Sequence, residues 1–412
     1  MIEENEIPKT WEITPLETLL DYIQPTKYIV ESTDYDDSYK TPVLTAGKSF
    51  LLGYTNETQG IFNQLPTIIF DDFTTAIKFV NFPFKVKSSA MKILVPTCEL
   101  VNIRYVYYFM ETIRLSADTH KRYWISEGAK VPIPVPPQAE QKRIVEKIEE
   151  VFSELDKGIE ALKKANQQLK VYRQAVLKYA FEGRLTNPNV KEGELPEGWV
   201  EITFGNIFKI SSGDGLPKSS RNDDGVYLVY GGNGVSGKHS EFMFNEQKLI
   251  IGRVGAHCGN THITMQNSWV TDNAFVVDFD TTAYDMKFLY YLIFKSNFNT
   301  LSSSTAQPVI SQGKIYPFET VVPIRIYEQI QIVNEIESRL SVCDKIEESI
   351  EQGLQQAEAL RQSILKKAFE GKLVPQDSKD EPASVLLERI KTERQKALPV
   401  KKAKVKLKKV KL

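Results

Sequence analysis

The chain has 412 residues, 42% of them apolar and 10% aromatic, which allows two or three domains with real cores. Lysine and arginine number 52 against 53 aspartates and glutamates, for a net charge of −1. That balance excludes the bulk basic character of a lone, tight nucleic-acid binder.

The N-terminus, MIEENEIPKTW, is acidic and polar and does not read as a signal peptide. No stretch approaches the roughly 18 uninterrupted apolar residues of a membrane span, so no membrane partner is expected. Cys98, Cys258 and Cys343 are odd in number and far apart. They read as free thiols in a reducing cytoplasm. Residues 1–138 form a first globular segment with 13 basic and 17 acidic residues. Pro136-Pro137 then blocks helix from extending upstream. From 139 to 184 apolar residues recur at alternating steps of three and four: Ile144, Ile148, Val151, Leu155, Ile159, Leu162, Ala165, Leu169, Tyr172 and Val176. This predicts one long helix with a single apolar seam, closed by Gly183 as a left-handed cap. A second globular segment, 185–327, has 11 basic and 14 acidic residues from 186 onward.

A second seam follows over 328–372, with Ile332, Ile336, Leu340, Cys343, Ile346, Ile350, Leu354, Ala357 and Ile364, and with Gly371 as its cap. Residues 373–412 form a basic tail ending in KKAKVKLKKVKL, with 13 basic and 5 acidic residues counted from 372. The tail reads as a solvated, partly disordered end, although EPASVLLERIKTERQKAL can form a short amphipathic helix with Pro382 near its start.

The two helical stretches are one sequence written twice. Laying 141–185 on 329–373 without a gap gives 20 identities in 45 positions, including Gln141 on Gln329, Ile144-Val145 on Ile332-Val333, and AFEG on AFEG. The repeat extends upstream, where IPKTW at 7–11 answers LPEGW at 195–199. TIIFDD (67–72) and LIIGRV (249–254) hold similar places, as do Tyr107-Tyr108 and Tyr290-Tyr291. The helices have stayed alike while the globular parts have diverged. Each helix is about 60 Å long and needs a partner, and the other copy is the obvious one. Antiparallel pairing would put the two globular parts at opposite ends of a rod, related by a rough two-fold. B-DNA has the same local symmetry.

With P-x-x-W at Pro8/Trp11 and Pro196/Trp199, PPQAEQKRIVEKIE at 136–149, EQIQIVNEIE at 328–337, and AFEG followed by Leu185 and Leu373, the chain resembles the DNA-specificity subunits of type I restriction–modification systems. The resemblance covers essentially the whole chain, apart from the tail after Leu373. It implies an α+β fold: two globular α/β target-recognition domains at opposite ends of a rod of two long antiparallel helices, a coiled coil with pseudo-two-fold symmetry. It implies no catalysis and no cofactor of its own. The partners implied are double-stranded DNA, two adenine-methyltransferase subunits using S-adenosylmethionine, and two ATP- and magnesium-dependent motor–nuclease subunits, all in a prokaryotic cytoplasm.

The residues show no catalytic motif. Gly232-x4-Gly237-Lys238 mimics a phosphate loop, but His239 stands where Ser or Thr should hold magnesium, so a hairpin turn or a DNA-side loop fits better. His257, Cys258 and His262 are one ligand short of a zinc site. NPNV at 187–190 lacks the second proline and the aromatic residue of an adenine-binding methyltransferase loop. Base readout favours Arg, Lys, Asn, Gln, Ser and Thr on loops. The DNA-contact candidates in the second domain are Lys218, Ser219, Ser220, Arg221, Asn233, Lys238, His239, Arg253, His257 and Asn260. In the first domain they are Lys48, Tyr54, Thr55, Asn56 and Thr58. Arg221 and Arg253 lead, because arginine to guanine is the commonest specific contact. Trp11, Trp199 and the tyrosine pairs read as core. A coiled-coil scaffold without DNA, and an enzyme fused to a rod, are the competing readings.

Overall fold

The computed structural model describes residues 7–45, 49–113, 123–221, 224–302 and 308–409, with side chains through 396. Two compact units divide the chain: unit 1 is Met1–Ala161 with Gly353–Leu412, and unit 2 is Leu162–Gln352. Each unit takes part of a central helix, Gln138–Phe181, and part of a distal helix, Ile326–Phe369. In unit 1, Asp156 of the central helix is ion-paired with Arg361 of the distal helix. In unit 2, Arg173 Nη2 lies 2.7 Å from Asp344 Oδ1 and 2.9 Å from Glu347 Oε2. Early residues of one helix meet late residues of the other in both cases, so the helices run antiparallel within each unit.

Along the distal helix full burial recurs every seventh residue, at Ile336, Cys343, Ile350, Ala357 and Ile364. The central helix has the same line at Ile148, Leu169 and Val176, with Leu155 and Leu162 half-buried between them. The second seam line expected from the sequence does not close. Tyr172 and Ile346 are each 44% exposed. A single partner helix covers one position per heptad fully, and residues one step round the helix stay at the margin.

Among the described residues, the globular part of unit 1 has nine strands. β1 (Glu12–Pro15) pairs with β9 (Pro132–Val135). β2 (Leu20–Ile23), β5 (Thr67–Asp71), β6 (Ile77–Val80) and β8 (Met91–Pro96) form an antiparallel sheet of order β2-β8-β5-β6. β3 (Thr41–Leu44), β4 (Leu51–Thr55) and β7 (Lys85–Val86) form a second sheet of order β4-β3-β7, with β3 and β7 parallel. Every residue of β5 is buried, as a strand covered on both faces requires. With side chains alternating, Ile68 and Phe70 enter the core beneath the helix Ile103–Met110, and Ile69 enters the core under the three-stranded sheet.

Unit 2 repeats the plan strand for strand. β10 (Trp199–Thr203) pairs with β18 (Glu319–Pro323). β11 (Phe208–Ser212), β14 (Leu249–Gly252), β15 (Thr261–Ile263) and β17 (Ala274–Phe279) give the order β11-β17-β14-β15. β12 (Tyr227–Gly231), β13 (Gly234–His239) and β16 (Trp269–Val270) give β13-β12-β16. Both hairpins shift register at the same place, between Val43 and Leu44 and between Val229 and Tyr230. TIIFDD and LIIGRV are therefore equivalent strands, β5 and β14, as the repeat suggested.

The repeated motifs meet at one junction in each unit. Trp11 Nε1 donates to Glu140 Oε2 at 3.0 Å, and Trp199 Nε1 to Glu328 Oε1 at 2.8 Å. Gln141 and Gln329 donate to the carbonyls of Pro136 and Pro323. The AFEG ends are left-handed helix caps: Arg184 N reaches Tyr179 O at 2.9 Å and Lys372 N reaches Lys367 O at 2.8 Å. Gly183 has φ 71° and Gly371 φ 69°. A Cβ on either would fall 2.1 Å from Pro196 Cγ or 2.4 Å from Pro8 Cγ. The chain after the distal helix thus returns to Pro8 and Trp11. Phe369 packs edge-on to Tyr105 and Phe109, and Phe181 packs on Phe288.

The solvated-tail expectation is corrected over 383–396. A C-terminal helix, Ala383–Lys409, buries Leu386, Leu387 and Ile390 in the core of unit 1. Arg394 ties it to Asp21 Oδ1 and to the carbonyl of Glu17, both at 2.8 Å. Apolar residues at steps of three and four gave it a face to bury. The side chains of the lysine-rich end, 397–412, lie outside the described residues.

Candidate nucleic-acid interface

In unit 2 four loop segments converge where β14 ends. A Cβ on Gly252 would sit 2.1 Å from Gly232 O and 3.1 Å from His257 O, and one on Gly232 would sit 2.8 Å from Val254 O and 2.9 Å from Asn273 O. Only glycine lets these backbones touch. The approach gathers Asn233, Arg253, His257 and Asn260 on one rim. Asn233 and His257 are exposed, and Arg253 and Asn260 are half-buried. The Arg253 guanidinium lies over the Phe275 ring at 5.4 Å, and Nη1 donates to Ser212 Oγ at 3.2 Å. It faces a cavity of about 460 Å³ lined also by Ser311, Gln312 and Gly313. The sequence reading missed Ser212, Ser311 and Gln312. They reach the rim only through long-range pairing, such as Ile310 N to Arg253 O at 3.0 Å, which no local pattern announces.

The other candidates of unit 2 form a strap on the three-stranded sheet. Lys218, Ser219 and Ser220 make an exposed turn. Arg221, expected to be a leading base reader, is committed elsewhere. Its Nη1 and Nη2 donate to the carbonyls of Ser236 (3.3 Å) and Leu216 (3.2 Å), and its Nε is buried without a partner. It clamps the loop before β12 onto β13. His239 Nδ1 contacts Ser220 O at 2.8 Å and its ring meets Trp269 edge-on, while Trp269 Nε1 donates to Asp214 O. Lys238 is exposed beside them. Asn233 sits at one end of β13 and His239 at the other, so rim and strap are about 20 Å apart along six residues.

The phosphate-loop mimic is the β12–β13 hairpin, the alternative the sequence allowed. Cys258 is buried near Asn299, His257 is exposed, and His262 lies under Gly234 from β15. Among the described residues no group of three His, Cys, Asp or Glu is placed to hold a metal ion.

Unit 1 carries different chemistry at the equivalent places. Asn56 and Thr58 are exposed and Tyr54 is half-buried, but Thr55 is 0% exposed with Oγ1 accepting from Glu57 N, which removes it from any accessible set. Lys48 lies outside the described residues. By register Thr55 stands where His239 stands, and Lys85 where Trp269 stands. Lys85 Nζ is 2.6 Å from Glu57 Oε2 and donates to Gln59 O. Burial pushes the Glu57 carboxyl up, and the Lys85 ammonium with the amides of Ser32 and Glu31 more than offsets it, leaving its pKa below the ordinary value. Asp72 occupies the place of Arg253, and Lys92 that of Phe275. They form a buried ion pair at 3.1 Å, with the Trp124 amide donating to Asp72 Oδ1 at 3.0 Å.

A further surface is duplicated. In unit 1 the Tyr107–Tyr108 pair, Phe152 and the Arg104–Glu149 ion pair line a groove of about 570 Å³. In unit 2 Tyr290–Tyr291 stands beside Lys287 Nζ and Glu337 Oε1, 2.8 Å apart. Trp11 and Trp199 are core, as expected, but these tyrosines are half-buried, and Tyr107 and Tyr108 face the groove. Burial, then a carboxylate (Glu149 or Glu337), pushes Tyr108 and Tyr291 up to about 12.

The model of the type I restriction modification DNA specificity domain matches residues 8–170 and again 196–356. The specificity subunit of the EcoR124I/EcoR124II restriction enzyme of Escherichia coli is 42% identical over 226 residues, covering 51% of this chain and 51% of that protein. The StySPI specificity subunit of Salmonella potsdam is 27% identical over 299 residues, 64% of each. The chain thus spans about half to two thirds of the length of these curated relatives. A chain in a solved type I R-M system superposes with a TM-score of 0.67 at 18% identity, covering 89% of this chain and 99% of that one. The HsdS subunit from Thermoanaerobacter tengcongensis gives 0.53 at 17%, covering 89% and 98%. At such identities the solved structures share the fold.

Proposed function

Because this chain belongs to the family of type I restriction–modification DNA specificity domains, we propose that it selects the DNA sequence on which a partner enzyme acts. Each unit reads one half of a bipartite double-stranded site, and the paired helices set the gap between the halves. The observation that carries this reading is one nine-strand fold built twice, with matched junctions and unmatched loop chemistry. Two readers on one frame fit an asymmetric, split target. The segments follow the repeat: recognition domains over 1–138 and 185–327, conserved helices over 139–184 and 328–372, and a tail over 373–412.

The duplicated tyrosine pair, each beside a basic side chain paired with a glutamate of the long helices, supports docking of two copies of one partner, here two adenine-methyltransferase subunits. Motor–nuclease subunits would join through them. Catalysis, S-adenosylmethionine, ATP and magnesium belong to those partners, and the complex works in the prokaryotic cytoplasm. With 11 basic against 14 acidic residues over 186–327, this subunit alone binds DNA weakly and its partners add phosphate contacts.

The test is to express the chain with its neighbouring methyltransferase and map N6-methyladenine across a genome. One split motif methylated in both halves is expected, and exchanging one globular part should change one half only. A stable complex that methylates at random, or no complex, would count against the proposal.

A further inference from the structure

We infer that Arg253 is a specificity-determining residue of unit 2, reading a guanine edge in its half-site, and that unit 1 does not read from the equivalent position. This rests on the DNA-reading function proposed above. Arg253 follows β14, on the glycine-built rim. Its guanidinium lies over the Phe275 ring at 5.4 Å and is held by one bond to Ser212 Oγ, with the cavity of about 460 Å³ before it. A guanidinium has five N–H donors in a rigid fork, so a single bond leaves most of them for a ligand. The ring contact and the bond to Ser212 restrain the fork, as a bidentate contact to guanine O6 and N7 needs. Arg221 is the contrast, with both Nη atoms on backbone carbonyls.

In unit 1 the same backbone position holds Asp72. It is 6% exposed, paired with Lys92 and covered by the Trp124 amide. Neither charge of that pair is available to a base. The two half-sites are therefore read from non-equivalent positions, although the folds superimpose strand for strand.

The experiment is the methylome of the complete methyltransferase complex carrying Arg253→Ala or Arg253→Lys. Both variants should relax one G·C position in one half-site, by about 5- to 150-fold in discrimination, with the other half and the gap unchanged. Lysine keeps the charge but not the fork, so it should relax that position as well. The Lys variant also decides the matter if the Ala variant fails to assemble. A wild-type motif from either assembled variant, or a uniform fall in methylation without relaxation, overturns the assignment. Absence of any split motif from the wild-type complex would sink the DNA-reading function itself, and this inference with it.

Discussion

Units 1 and 2 share nine strands in one order, yet the side chains at matched places differ in kind. Lys85 paired with Glu57 stands where Trp269 bonds Asp214, and Tyr35 lies on Gly53 where Arg221 lies on Gly237. What has not changed is the junction of Trp, Glu, Gln and the AFEG glycine, and the full burial of the central strands β5 and β14. The lesson is a separation of duties. Buried strands and helix ends fix where the loops leave the frame, and residues at the loop ends can change charge and size without moving the backbone. Buried ion pairs in one unit and aromatic residues in the other fill the same space.

The comparison breaks most easily at Lys85, whose side chain is 4% exposed. Glu57→Ala leaves that ammonium buried with one carbonyl, and should cost unit 1 about 3–5 kcal/mol. Unit 2 should be untouched, because Trp269 carries no charge. Hydrogen exchange resolved by segment would check this, and equal loss in both units would refute it. The pH dependence has the same address. The folded pKa of Glu57 is depressed, so its contribution is present above the ordinary carboxylate pKa and is lost as pH falls through the folded value. Acidification below about pH 4.5 should loosen this sheet of unit 1 before the matching sheet of unit 2.

A second asymmetry, among the described residues, is the C-terminal helix packed in the core of unit 1. Leu386→Ala removes a side chain 2% exposed in that core and should cost about 2–5 kcal/mol. Thermal unfolding followed by probes in each unit should show the loss in unit 1. An unchanged transition would mean that the helix is not docked in solution.

Much of this was legible in the sequence, for physical reasons. Helices repeat every few residues, so both seams, the Pro136-Pro137 start and the glycine caps could be read directly. The repeat also exposed the equivalence of β5 and β14. The rim was not legible, because Ser212, Arg253 and Gln312 meet through pairing between distant segments. Nor could residue type tell Arg253 from Arg221, since one faces a cavity and the other is tied to carbonyls. The amphipathic helix in the tail was legible, but its docking was not, because spacing gives Leu386, Leu387 and Ile390 one face without saying what covers it. Tyr172 and Ile346 fit the pattern and are still exposed, because spacing alone does not say how wide a single partner helix is.

The glycine caps sharpen the likeness between units. Gly183→Ala and Gly371→Ala each force a side chain into left-handed backbone and against a proline ring. Each should cost about 2 kcal/mol, and the two costs should agree. A large difference in denaturant midpoints would show that the junctions are alike in sequence but not in strain.

The smallest effect belongs to the paired arginines. Arg173 and Arg361 are the same position of the repeat, facing Asp344 and Asp156. Exposed ion pairs contribute about 0.2–1 kcal/mol, so Asp344→Ala and Asp156→Ala should differ little from each other. The arginines should not behave alike. Arg361 also lies over the Phe152 ring at 4.2 Å, while Arg173 divides itself between Asp344 and Glu347. Salt weakens the attraction between exposed charges but leaves most of the contact between a guanidinium and a ring. In 0.5 M salt, where the Debye length is about half its physiological value, Arg173→Ala should become nearly neutral while Arg361→Ala still destabilises. If both effects vanish together in salt, the ring contact contributes nothing, and the two helix pairings are equivalent in energy as well as in sequence.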